Sequence, residues 1–275
     1  MTGTDEPIGL IAGSGALPVE VVGEAHRRGR RIICVDIFDG GPRLRELADA
    51  YVAPAFGDLG AIIEAFKRHG VREVVLAGKV DKLPALQRVR LDRIGALVAG
   101  RVLDHRDTSI LGAFLAVLET AGFEVADQAR YLGHLLPEPG VLGGRAPSEA
   151  EAADIQAGLR VAPRIAALDI GQAVAVRNGA VIAVEAAEGT DEMIRRAGAL
   201  TAGVVVVKVS RPYQDARYDL PVVGPQTIRA LADARATALA VEAGRTFLLE
   251  RAELVAAAGA SGIALVAAAV EGPVG

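Results

Sequence analysis

The sequence predicts a two-domain α/β protein, and three observations predict it. Short β-branched runs alternate with stretches of helical spacing, a glycine turn joins the first run to the first helical stretch, and a Pro- and Gly-rich interruption separates two such rhythms. Ile8 to Ala12 is an apolar run stopped by Gly13-Ser14-Gly15, and Leu17 to Arg28 then shows helical spacing with Glu20, Glu24 and His26 at polar positions. Arg31 to Ile37 is a second strand, Ala61 to His69 an amphipathic helix, and Glu73 to Ala77 a third strand running into Gly78-Lys79. Strands alternating with helices build a parallel sheet covered on both faces, so the first half is expected to be a Rossmann-like parallel sheet with the glycine turn at its first strand–helix junction. Residues 92 to 121 are expected to be mostly helical, with Ile110, Leu111, Phe114, Leu115 and Leu118 on one face, followed by a short strand at Phe123 to Val125.

From Leu132 to Pro147 three Pro and four Gly fall in a stretch with no period, which reads as a connection. The expected organisation is therefore an N-terminal domain at 1–131, a linker at 132–147 and a C-terminal mixed α/β domain at 148–275. Ser148 is placed to cap a helix, with Glu149 and Glu151 in the dipole-favoured first turn. Ala173 to Val176 and Val181 to Glu185 form a hairpin around Asn178-Gly179, a dipeptide suited to a type I′ turn. Thr190 to Ala197 is expected as helix, Gly203 to Val209 as strand, Thr227 to Ala243 as helix and Thr246 to Leu249 as strand, before a closing helix and strand. The uncharged stretch Leu254 to Val270 is 17 residues long, but its Ala content and the Gly259-Ala260-Ser261-Gly262 break argue against a membrane span.

Composition removes several classes of function. With 30 Lys plus Arg against 34 Asp plus Glu, the net charge of -4 argues against general nucleic-acid binding. The single cysteine, Cys34, excludes a disulfide framework and a Cys-rich zinc site. The start offers no basic n-region with a long apolar stretch, so a cytoplasmic location is expected.

Gly13-Ser14-Gly15 lies where backbone amides and a helix dipole can hold an anion. Pro18 replaces the third small residue of a dinucleotide fingerprint, which weighs against a nicotinamide site even though Asp36 lies where a ribose acceptor would. In the second half Glu185, Glu188, Gly189, Thr190 and Asp191 bunch at a strand-to-helix junction, either as a site or as a helix start capped by Thr190. Lys208, Arg211, Gln214, Asp215, Arg217 and Asp219 fall within twelve residues, either as a solvated loop or as the cations and carboxylates that metal-assisted phosphoryl chemistry requires. None of His26, His69, His105 and His134 lies in this second half, so hard oxygen ligands and Mg²⁺ or Mn²⁺ are favoured over zinc.

The segments Gly9-Leu-Ile-Ala-Gly-Ser-Gly-Ala-Leu-Pro18, Ala77-Gly-Lys-Val80, Leu168-Asp-Ile-Gly-Gln172, Ala183-Val-Glu-Ala-Ala-Glu-Gly-Thr-Asp191 and Arg217-Tyr-Asp-Leu-Pro-Val-Val-Gly224, in this order and spacing, resemble the UDP-2,3-diacylglucosamine pyrophosphatases of the LpxI type. The resemblance implies hydrolysis of a UDP-linked diacylated glucosamine to UMP and 2,3-diacylglucosamine 1-phosphate (lipid X) in lipid A biosynthesis. It further implies a divalent cation, a substrate between an N-terminal binding domain and a C-terminal catalytic domain, a homodimer, and a peripheral contact with the inner membrane. Asp219 corresponds to the family's essential acidic residue, as metal ligand or positioner of the attacking water, with Asp191 as a second metal candidate. Gly13, Ser14, Gly15, Thr190 and Asp191 carry over as substrate contacts, and Lys79, Gln172, Glu188 and Gly189 lie in the matching motifs. Lys208, Gln214 and Arg217 join them on charge and proximity in sequence. One departure is Thr108 after Asp107, where the family pattern has a second Asp. Two rival readings are hydrolysis of another nucleotide diphosphate lipid and non-catalytic nucleotide-sugar or lipid binding on the same fold.

Overall fold

A computed structural model describes residues 6–38, 40–55, 57–79, 92, 93, 95, 96 and 107–270. Of the expected helix at 92–121, residues 92, 93, 95, 96 and 107–121 are described, with 107–120 helical, while Val80 and His105 lie outside the described residues. The chain divides into two compact units, Met1–Gly133 with Ala216–Tyr218, and His134–Asp215 with Asp219–Gly275.

The first unit contains β1 (Ile8–Ala12), α1 (Leu17–Arg27), β2 (Ile32–Asp36), α2 (Pro42–Leu47), β3 (Ala50–Val52), α3 (Leu59–Arg68), β4 (Glu73–Ala77), α4 (Asp107–Thr120), β5 (Glu124–Val125) and α5 (Ala129–Leu132). Its five strands form a wholly parallel sheet in the order β3-β2-β1-β4-β5. β1, β2 and β4 are buried at every position, which is why they read as continuous apolar runs without alternation. α1 buries Leu17, Pro18, Val21, Val22 and Ala25, the stripe an amphipathic helix turns to a core. The strand order reverses between β1 and β4, so the carboxyl ends of these two strands mark a topological switch point.

The second unit contains β6 (Gly140–Gly143), α6 (Glu149–Ala167), β7 (Ala173–Arg177), β8 (Ala180–Val184), α7 (Thr190–Leu200), β9 (Val205–Lys208), β10 (Val222–Val223), α8 (Pro225–Asp233), β11 (Ala238–Glu242), β12 (Phe247–Leu248), α9 (Arg251–Ala260) and β13 (Ala264–Ala268). Six strands form a mixed sheet in the order β6-β13-β11-β9-β7-β8, and β10 pairs with β12 in a separate parallel ribbon. Ser148 caps α6 through a complete capping box with Glu151. Asn178 and Gly179 both take positive φ, +50° and +77°, as a type I′ hairpin requires, and the buried Asp154 carboxylate accepts both their amides at 3.0 and 2.6 Å.

The segment Thr227 to Ala243, expected as one helix, is instead α8, a turn and β11. Ala and Leu favour helix along its length, yet the chain turns where Arg235 takes a φ of +53°, and Ala238–Glu242 is buried between β9 and β13. Tertiary burial overrides local preference there. The Pro- and Gly-rich stretch 132–147 carries β6, which pairs antiparallel with β13 at the sheet edge. Leu254 to Val270 spans most of α9, a turn and β13, and among the described residues no helix is long and apolar enough to cross a membrane.

Candidate active site

In the first unit the glycine turn and the end of β4 meet across the switch point. Ser14 and Lys79 exchange backbone hydrogen bonds of 2.9 and 2.8 Å, the Gly13 amide donates to the Ala77 carbonyl at 2.8 Å, and Ser14 Oγ donates to the Lys79 carbonyl at 3.1 Å. The approach is close enough that a Cβ on Gly13 would lie 2.6 Å from the Lys79 carbonyl oxygen, and Gly78 combines a φ of +103° with contact on Gly13. Both glycines are thus needed for backbone contact. Since the Gly13 and Ser14 amides are already bonded to protein carbonyls, an anion here would be held by the amides at the following turn, where Gly15 has a φ of +97° and α1 begins. Asp36 is not open to a ribose: its carboxylate accepts the amides of Phe38 and Gly40 and the Tyr51 hydroxyl, at 3.1, 2.7 and 2.5 Å. With Pro18, that arrangement weighs against a nicotinamide site.

In the second unit the carboxyl ends of β8, β9 and β11 gather buried polar groups that a sheet interior would reject: Glu185, Lys208, Ser210 and Glu242. Each has partners. Glu185 accepts the Thr190 hydroxyl at 2.9 Å and the Gln172 amide at 3.2 Å, while Lys208 Nζ donates to Thr190 Oγ and the Val222 carbonyl, both at 3.1 Å. Burial pushes the Lys208 ammonium below the usual lysine range, opposed by the nearby charges of Glu185 and Asp191. Glu242 Oε2 accepts both the amide and the hydroxyl of Ser210 at 2.6 Å, which anchors the start of the loop after β9.

That loop folds on itself around Asp219. The Arg211 amide donates to the Gln214 side-chain oxygen at 2.7 Å, Gln214 Nε2 donates to the Asp219 carbonyl, and the Asp219 amide donates to the Asp215 carbonyl at 3.1 Å. Arg211 Nη1 reaches Asp219 Oδ2 at 3.4 Å. Gln214, expected as a substrate contact, therefore braces the backbone on both sides of the loop.

The remaining candidates divide. Gly189, with a φ of +85°, is the N-cap of α7 and makes no side-chain cap bond, so Thr190 is the first helical residue rather than the cap. The start of α7, with Asp191 in its first turn, is next to Lys208 through the Thr190 contact, which brings a helix N-terminus and a buried ammonium together. Gln172 has a buried side-chain oxygen with no hydrogen-bond partner among the described residues. Glu188 is paired with Arg196 at 2.5 Å and Arg217 with Glu119 at 2.7 Å. Gly171 was legible only as part of a motif; a Cβ there would lie 2.0 Å from the Glu185 carbonyl oxygen, so glycine lets the two chains pass.

Among the described residues no three His, Cys, Asp or Glu side chains converge as a metal cage. Mg²⁺ is usually held by one or two carboxylates completed by water and substrate phosphates, and the partly exposed Asp219, a hard oxygen donor, fits that mode. Asp191 offers the same chemistry beside Lys208.

The LpxI N-terminal domain model matches residues 7–135 and the LpxI C-terminal domain model residues 138–266. A relative, UDP-2,3-diacylglucosamine pyrophosphatase LpxI of Caulobacter vibrioides, is 34% identical over 269 residues, covering 91% of this chain and 93% of its own. Among solved structures, a UDP-glucose-4-epimerase from Stenotrophomonas maltophila aligns at a TM-score of 0.30 and 14% identity over 43% of this chain and 35% of its own. The biotin carboxylase domain of a single-chain bacterial carboxylase aligns at 0.29 and 18% over 55% and 34%. Overlaps that small carry no argument. Both domain models and the full-length relative agree, and the chain belongs to the LpxI family.

Proposed function

We propose that the protein hydrolyses the pyrophosphate of UDP-2,3-diacylglucosamine, releasing UMP and 2,3-diacylglucosamine 1-phosphate. The observation that carries this reading is full-length kinship to a protein of that activity, with the Arg217-Tyr218-Asp219-Leu220-Pro221 motif intact. In the reaction a water oxygen bonds to the phosphorus nearer the sugar, the bond from that phosphorus to the UMP oxygen breaks, and the water's protons pass to solvent. Such a displacement needs positioning and charge stabilisation rather than a covalent nucleophile, which suits a site built from Lys208, the start of α7, Arg211 and Asp219.

Asp219, with Asp191 as the second candidate, would hold Mg²⁺, or Mn²⁺ in its place. The metal would neutralise charge developing on the phosphate oxygens. Asp219 orients the attacking water by accepting a hydrogen bond from it. Lys208 and the first amides of α7 bind phosphate oxygens, and the turn at Gly13, Ser14 and Gly15, with Lys79, takes the polar head of the substrate. Gln172 supplies its unpaired side-chain oxygen as an acceptor. The same reading carries a homodimer in the cytoplasm that meets its acylated substrate at the inner-membrane surface.

The experiment is UMP release from UDP-2,3-diacylglucosamine by the purified protein, with Mg²⁺ and with chelator, and phosphorus analysis of both products. Metal-dependent appearance of UMP and the sugar 1-phosphate is expected. Binding without release would point instead to a binding protein of the same fold.

A further inference from the structure

The end of α6 is a Schellman motif with an unusual residue at its turning point. The Asp169 amide donates to the Ala166 carbonyl at 3.1 Å and the Ile170 amide to the Ile165 carbonyl at 3.5 Å, and Asp169 takes a φ of +56°. Glycine is the usual occupant of that position because an L side chain is disfavoured there. The Asp169 carboxylate has a use that glycine lacks: its Oδ1 lies 2.8 Å from Arg211 Nε, a close ion pair whose angle falls short of a hydrogen bond. From the other edge of the same guanidinium, Arg211 Nη1 reaches Asp219 Oδ2 at 3.4 Å. The Arg211 backbone is held as well, by Gln214 on its own amide and by the Ser210–Glu242 bonds one residue earlier.

We propose that Asp169 and Arg211 are positioning residues for Asp219: Asp169 holds the Arg211 guanidinium in place by charge, and Arg211 holds the Asp219 carboxylate. Arginine suits the role because its rigid planar guanidinium lies between the two carboxylates, facing Asp169 with one edge and donating to Asp219 from the other, which a lysine ammonium on a flexible stem cannot do. Asp169 and Asp219 are both substantially exposed, so the ion pairs add little to stability in the folded protein. Their contribution lies in geometry. A carboxylate that orients a water loses rate steeply when displaced by an ångström.

The relay rests on the pyrophosphatase reading, and its test separates the two. Asp169→Asn keeps a residue that tolerates the left-handed backbone while removing the charge, and Arg211→Lys keeps the charge while removing the fork. Steady-state UMP release by both single variants, by the double variant and by the parent protein is measured beside their melting temperatures. The expected result is a fall in kcat of about tenfold for Asp169→Asn and about a hundredfold for Arg211→Lys. KM should stay within about threefold and melting within about 2 °C, and the double variant should be no slower than Arg211→Lys alone, the non-additivity of residues acting in series. Normal kcat in the variants, additive losses, or losses that track melting temperature would overturn the relay alone. A parent protein that releases no UMP would overturn the functional reading and the relay with it.

Discussion

Lys208 sits in an environment that its chemistry does not prefer. A buried ammonium is expensive to desolvate, and replacing such a group with an apolar side chain of similar length is often neutral or stabilising. Lys208→Met is therefore expected to melt at or above the parent temperature while losing ten- to a hundredfold in kcat/KM, measured by calorimetry and UMP release; a large drop in melting temperature would make Lys208 a structural anchor instead. At this scale the sequence spoke unevenly. Asp219, Thr190 and Lys208 stood out by motif and charge, and Thr190 and Lys208 meet at the carboxyl end of β9. Arg217 and Glu188 stood out by the same criteria and are taken by Glu119 and Arg196. Charge density marks a loop, but partners outside the window decide where each charge points. Asp169 is part of a quoted motif, but its left-handed φ belongs to the backbone and leaves no mark in the sequence.

Elements were read well where the local signal and the tertiary need agreed. The strands β1, β2, β4 and β9, the capped start of α6 and the Asn178-Gly179 hairpin are each over-determined by composition and turn chemistry. Thr227 to Ala243 went the other way, since an Ala- and Leu-rich run contains no mark separating α8 from the doubly buried β11. Short elements such as α2, β3 and β10 exist through their neighbours and leave no period to detect. The β7–β8 hairpin has a support that its turn residues do not reveal: Asp154, almost fully buried on α6, accepts both turn amides. Asp154→Ala should cost about 1 to 3 kcal/mol by leaving those donors without a protein partner, read from denaturant midpoints. An unchanged midpoint would show that the I′ turn is sufficient by itself.

For the molecule as a whole, acid stability has a named source. Arg145 donates to both Glu151 carboxylate oxygens at 2.6 Å, to the Thr237 carbonyl at 3.0 Å and to the Gly262 carbonyl at 2.7 Å. The Arg145 guanidinium holds the Glu151 carboxyl down at about 2, helped by the capping bonds from Ser148. A carboxylate depressed in the folded state contributes stability above its unfolded value near 4.5 and loses it as pH falls from there toward 2. The contribution is about 1 to 2 kcal/mol after discounting for solvent at the partly exposed arginine. Melting temperature should therefore fall more steeply between pH 4.5 and 3 in the parent than in Arg145→Ala; parallel curves would remove Glu151 from the account. Turnover by Asp219→Ala is the most direct test of whether this chain hydrolyses its substrate as proposed. The account predicts a variant that melts like the parent, binds UDP-2,3-diacylglucosamine and releases UMP orders of magnitude more slowly; a folded variant with near-parent turnover would contradict it.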